Sequence, residues 1–221
     1  MIKRNRSYLI ITTLITLLPM LIGIVLWNRL PDQVPIHFND AGEADNWSGK
    51  VGAIFGIFSF IAACHLLCAF FTAADPRKKA ISDKVYRLIL WICPACSLFA
   101  AVMIYGNALN YSINASLICD LFLGILFIAI GNYLPKCRQN YTIGIKLPWT
   151  LADADTWNAT HRIAGPIWMA AGLLMILMTI AGAVHSLLLL AVILAATLIP
   201  CIYSFFYYQS RHKDEKSNTQ P

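Results

Sequence analysis

Charge is what this sequence has least of. Asp, Glu, Lys and Arg together make 13% of its 221 residues, about half the share of a soluble domain. That scarcity excludes a soluble enzyme and a charge-rich disordered tail. Two recurrent catalytic signatures are missing as well: there is no HExxH metal motif and no GxSxG nucleophile elbow. A secreted disulfide framework is also excluded. Of the seven cysteines, Cys64, Cys68, Cys93, Cys96, Cys119 and Cys201 fall inside apolar runs and Cys137 lies in a basic loop. Cys93-Pro94-Ala95-Cys96 has the spacing of a redox motif, but a thiolate is costly in an apolar helix. The segment reads as small packing residues around a proline kink.

What the chain does have is hydrophobicity, 58% of residues with a mean hydropathy of +0.63. Six apolar runs are long enough to cross ~30 Å of hydrocarbon at ~1.5 Å per residue: residues 8–27, 51–71, 85–109, 116–134, 165–183 and 186–208. In lipid each must be helical, because no water is available for unpaired backbone groups. The fold class expected is an all-α membrane protein of six transmembrane helices. The first run is followed by Trp27-Asn28-Arg29 rather than a small-residue cleavage site, so it reads as an uncleaved span. Of the 17 Lys and Arg residues, all but Arg29 and Lys50 fall on one side of these spans. The positive-inside rule puts that side, with both termini, in the cytoplasm. The net charge of +6 is thus topological and points to the lipid bilayer as partner, with no direct nucleic-acid binding.

Two loops are long enough to carry function. The outer one, residues 29–50, holds Asp32, Asp40, Glu43 and Asp45 against Arg29 and Lys50. Val34, Ile36 and Phe38 alternate with Pro35 and His37, as in a short strand. Asn39-Asp40-Ala41-Gly42 is turn chemistry, and Trp47 stands at an aromatic-anchor position before the second span. The inner loop, residues 135–165, alternates around Ile143, Ile145 and Leu147, which predicts an extended segment. Thr150 is a plausible N-cap, with Asp153 three residues on, for a surface helix over 151–163. On that helix Trp157 and His161 share a face, and Gly165-Pro166 would mark the junction with the fifth span.

Within the spans the one acidic residue is Asp120, and His65 sits deeper in the second. Intramembrane ionisable groups are functional candidates. Asn28-Arg29-Leu30-Pro31 after span one is answered by Asn132-Tyr133-Leu134-Pro135 after span four, and Asp45-Asn46-Trp47 by Asp155-Thr156-Trp157. Three crossings separate the copies, so the pattern suggests a 3+3 inverted repeat.

The stretch LPDQVPIHFNDAGEADNWSGK resembles a widespread bacterial domain of unknown function found beside first membrane spans. GNYLPKCRQNYTIGIKLPWTLADADTWNATHR resembles the signature of the SdpI family. The resemblance implies an N-terminal membrane domain over 1–84 and an SdpI-like domain over 85–221. It implies a non-enzymatic immunity protein of the bacterial cytoplasmic membrane, without cofactor or metal. Such a protein guards against a secreted membrane-active peptide toxin and also signals by holding a small cytoplasmic transcriptional repressor. Carried onto this chain, Asp32, Pro35, His37, Gly42, Asp45, Trp47 and Lys50 match the outer motif and would bind the ligand. Asn140, Tyr141, Gly144, Pro148, Trp149, Thr150, Trp157, Thr160, His161 and Arg162 match the inner one and would dock or gate. The alternative is a small proton-coupled carrier or exporter using Asp120 with His65.

Overall fold

The computed structural model describes residues 1–39, 41–111, 113–183 and 186–218, with side chains to residue 213; Asp40 lies outside them. The elements run α1 (Arg6–Val25), β1 (Gln33–Phe38), β2 (Ala44–Gly49), α2 (Ile57–Ala74), α3 (Asp83–Ala108), α4 (Ala115–Tyr133), α5 (Pro148–Ala152), α6 (Ala154–Ile180) and α7 (Ser186–Asn218). A π-helical turn, Gly52–Gly56, leads into α2. Among the described residues six helical stretches are long and apolar enough to cross a membrane: α1, α2 with its π turn, α3, α4, α6 and α7. They fall on the six runs expected.

Three expectations need correction. The chain is not purely helical, because the first long loop folds as an antiparallel β1–β2 hairpin. The extended segment expected around Ile143–Leu147 is absent; residues 137–147 are irregular. The surface helix expected over 151–163 does not stop at Gly165-Pro166. It begins at Ala154, capped by Asp153 rather than Thr150, and continues as one helix to Ile180 with Pro166 inside it. Gly165 serves packing instead: a Cβ there would lie 2.9 Å from the Gly131 carbonyl oxygen of α4 and 2.6 Å from Pro135 Cδ. Small residues allow this backbone approach between membrane helices.

The chain divides into two compact units. The first holds Met1–Ala74 and Asp83–Cys119, so α3 packs with α1 and α2. Its core is Leu30, Val34, Ile54, Phe58, Ile104 and Tyr105 with small residues between. Polar bonds tie the three helices. Tyr105 donates to the Pro19 carbonyl at 2.8 Å and Ser97 to the Thr16 carbonyl at 2.7 Å. Asp83 accepts from Arg4 Nη2 at 2.6 Å and from Asn5 Nδ2 at 2.8 Å. Arg87 bonds Asn5 Oδ1 at 2.8 Å and lies 4.1 Å over the Tyr8 ring. The second unit holds Asp75–Ser82 and Asp120–Pro221. Its core joins α4, α6 and α7 through Phe127, Ala171, Met175 and Ala196, with Phe127 stacked on Trp168 at 4.7 Å.

Candidate functional site

In the first unit the candidate site is the hairpin. Gln33 opposes Gly49, Val34 opposes Ser48 and Pro35 opposes Trp47; the register then slips on either side of His37. These two irregularities twist the ribbon. The turn is held by Asn39, whose N–H donates to the Glu43 carbonyl at 2.8 Å and whose side chain accepts the Glu43 N–H at 2.9 Å. Gly42 adopts φ +79° there, the left-handed region that favours glycine. Val34 and Pro35 are buried and anchor the ribbon to the core.

The expected ligand residues then separate. His37 Nδ1 lies 2.6 Å from Asp45 Oδ1, and both side chains are exposed. Lys50 reaches Asp32 at 3.2 Å and lies 5.8 Å over the Trp27 ring. Trp47 is half exposed, at 50%. The hairpin therefore presents an indole, an imidazole–carboxylate pair and a solvent-facing Asp32, while Gly42 and Pro35 shape the backbone.

In the second unit the motif residues form a folded knot. Asn140 is buried. Its amide donates to the carbonyls of Arg138 at 2.8 Å and Ile143 at 3.2 Å, and its oxygen accepts from the N–H of Thr142 at 2.8 Å and of Ile143 at 2.7 Å. Thr150 Oγ1 accepts the Leu147 N–H at 2.9 Å and donates to the Ile145 carbonyl at 2.8 Å. It thus sits at the third position of α5, closing the start of that short helix from within. Pro148 is the first residue of α5, where its missing N–H costs nothing.

His161 is buried at 1% exposure and stacks on Trp157 at 4.1 Å. Its Nε2 accepts the Ile145 N–H at 2.9 Å, so Nδ1 carries the proton it gives to the Trp157 carbonyl at 2.8 Å. Trp157, fully buried, donates from Nε1 to the Cys137 carbonyl at 2.8 Å. Thr160 Oγ1 bonds back to the Thr156 carbonyl at 2.6 Å. Gly144 lies over these rings at φ +112°; a Cβ there would meet Trp157 Cη2 at 3.1 Å and press harder still on His161 Nε2. Trp149 Nε1 donates to Ser204 Oγ at 2.8 Å, fixing α5 to α7.

Sequence reasoning missed Asp75, the residue that fastens this knot. Its carboxylate is buried. It accepts the Arg77 N–H at 2.7 Å, the Tyr141 N–H at 2.9 Å and the Thr142 hydroxyl at 2.5 Å. Arg77 stacks on Tyr141 at 4.9 Å and bonds Gln139 Oε1. Asp75-Pro76 after a span was a turn signal, but its partners lie 66 and 67 residues on.

The polar groups of Asn140, Thr150, His161 and Trp157 are thus consumed inside the knot and give it shape. What remains for a partner is exposed: Tyr141, Pro148 and Arg162. Two intramembrane candidates fall in different units. His65, buried in α2, has Nε2 3.2 Å from Thr12 Oγ1. Asp120 is half-buried near the start of α4.

Residues 136–204 match the SdpI/YfhL protein family, and residues 14–62 match a domain of unknown function, DUF1648. The chain is 28% identical to the immunity protein SdpI of Bacillus subtilis (strain 168) over 213 residues, 90% of this chain and 95% of that protein. No solved structure matches. The motif residues of the knot, 140–162, fall within the first match and the hairpin within the second, so a region similar to the SdpI/YfhL family follows one similar to DUF1648.

Proposed function

We propose that this chain is a bacterial membrane immunity protein that protects its cell from a secreted, membrane-active peptide toxin. The observation that carries the reading is the similarity to an immunity protein over nearly the full length of both chains. The Lys and Arg distribution supports an orientation with both termini and the 135–165 knot in the cytoplasm and the hairpin outside. On that orientation the toxin meets the hairpin. Trp47 offers apolar contact area, and Asp32 and Asp45, with Glu43, steer a basic ligand, an effect that salt screens. The knot docks the cytoplasmic repressor through its exposed Tyr141, Pro148 and Arg162. In each unit the first helix is followed by a long ordered connection and then two more long helices, which supports the inverted-repeat reading.

Survival tests this. A toxin-sensitive bacterium expressing the chain is challenged with purified sibling-killing peptide. Protection is the expected result. Trp47→Ala lowers it without changing membrane insertion, whereas Tyr141→Ala leaves survival intact and weakens repressor retention. Sensitivity equal to that of cells lacking the protein, with the chain verified in the membrane, overturns the reading.

A further inference from the structure

Four of the seven cysteines sit on two neighbouring helices of the first unit, Cys64 and Cys68 on α2 and Cys93 and Cys96 on α3. Residues four or three apart on a helix share a face, so each helix carries a pair of thiols along one side. Two contacts pack α2 against α3 on either side of this level. The Tyr86 hydroxyl of α3 donates to the Ala69 carbonyl of α2 at 3.3 Å, and the rings of Phe58 and Tyr105 lie 5.8 Å apart. Between them the thiols of Cys68 and Cys93 are hydrogen-bonded to each other, with Cys64 and Cys96 close by. The redox spacing of Cys93-Pro94-Ala95-Cys96 therefore points along the wrong helix: the thiol that meets Cys93 comes from α2. The described residues hold no group of three ligating side chains that would take a metal ion, whereas two thiols in contact are what a disulfide requires.

Position and exposure divide the roles. Cys68 is exposed and Cys93 half-buried, so Cys68 is the thiol open to a reagent dissolved in lipid. Cys68 lies six residues before Ala74 at the end of α2, and Cys93 six residues past Arg87, the last charge on α3. Both are therefore about 9 Å in from the same end of the helix pair, shallow enough to limit the cost of a transient thiolate. Pro94 offers no N–H to the Leu90 carbonyl. That missing bond leaves α3 room to adjust as the sulfurs close to about 2 Å.

We propose that Cys68 and Cys93 are a reversible oxidation site, at which an organic hydroperoxide joins α2 to α3 through a disulfide. The Cys68 thiolate attacks the terminal oxygen of the hydroperoxide. The O–O bond breaks, the alcohol leaves with the thiol's proton, and Cys68 becomes a sulfenic acid. The Cys93 sulfur then displaces the hydroxyl, which departs as water with the Cys93 proton. Two thiols are oxidised, and the hydroperoxide takes their two electrons to become alcohol and water. A dithiol reductant reverses the bond by exchange. Because α2 follows the hairpin through the π-helical turn, the bridge clamps to α3 the helix that leads out of β2.

The test uses the full chain, reduced, freed of reductant and embedded in lipid nanodiscs, then treated with equimolar cumene hydroperoxide. The protein is denatured, alkylated with N-ethylmaleimide and mapped by mass spectrometry. Two of the seven thiols should be lost to alkylation and recovered with dithiothreitol, and one linked peptide pair should join Cys68 to Cys93. Cys93→Ser should stop at the sulfenic acid, captured on Cys68 by dimedone, while Cys64→Ser and Cys96→Ser keep the bridge. A wild type with all seven thiols still alkylatable overturns the proposal, as does a bridge that maps to Cys93–Cys96 or to Cys64. The wild-type map decides the matter by itself, even where a serine variant fails to insert.

Discussion

At the scale of single residues, Gly144 shows how tightly the knot is specified. Two independent restrictions meet there: a φ of +112° and the faces of Trp157 and His161 where a side chain would go. Alanine must therefore adopt strained backbone and displace a buried stacked pair. Strain alone costs about 1–3 kcal/mol, and the displaced rings add to it. Gly144→Ala is expected to lower the melting temperature in detergent and to raise hydrogen exchange at the Ile145 amide. An unchanged melting temperature and unchanged protection at Ile145 would show the loop free to relax around a methyl group. His161 and Asn140 were legible in the sequence as motif residues, but not as framework. Polar side chains in a motif invite a ligand reading. Only the count of their donors and acceptors shows that each is spent on neighbouring backbone.

At the scale of elements, legibility followed the strength of the local signal. The six spans stand out because long apolar runs have no other use. Strand β1 shows its period-two pattern, whereas β2 reads Ala-Asp-Asn-Trp-Ser-Gly, mostly poor strand formers; pairing with β1 makes it a strand. Gly165-Pro166 looked like a boundary by local rules, yet α6 runs through it. Lipid demands helical backbone, and Gly165 is needed at the contact with α4. The cap moved accordingly, from Thr150 to Asp153.

That cap makes a pH prediction. Burial pushes the Asp153 carboxyl up, but bonds from the Thr156 hydroxyl and amide and the charge of Arg211 outweigh it and hold the carboxyl below its ordinary range. A carboxyl lowered by folding contributes stability that is complete above its unfolded value and lost as pH falls through its folded value. Acidification below pH 4 should therefore release the first turn of α6, read as faster exchange at the Thr156 amide. Asp153→Asn keeps a capping oxygen and should abolish that pH dependence at a stability cost of about 1 kcal/mol or less. Persistent pH dependence in the variant would assign the effect to another group.

At the scale of the whole molecule, the orientation argument can be tested chemically. On a background with the seven natural cysteines replaced by alanine, Ser48→Cys should react with a membrane-impermeant maleimide in intact cells. Lys146→Cys should react only after lysis. The reverse pattern would invert the topology. The natural thiol Cys137 is unreactive for a physical reason: burial pushes it up to about 11, so almost none is thiolate at neutral pH.

The unbroken course of α6 has a mechanical consequence. Its 27 residues make a rod about 40 Å long, with the stacked Trp157–His161 pair near one end and apolar residues along the rest. A pivot of roughly ten degrees about one end sweeps the other through about 7 Å. Pro166 removes one backbone bond, to the Arg162 carbonyl, but the helix runs on through it and the knot is riveted to its start, so tilting the span in the bilayer carries the knot along as the tip of a lever arm.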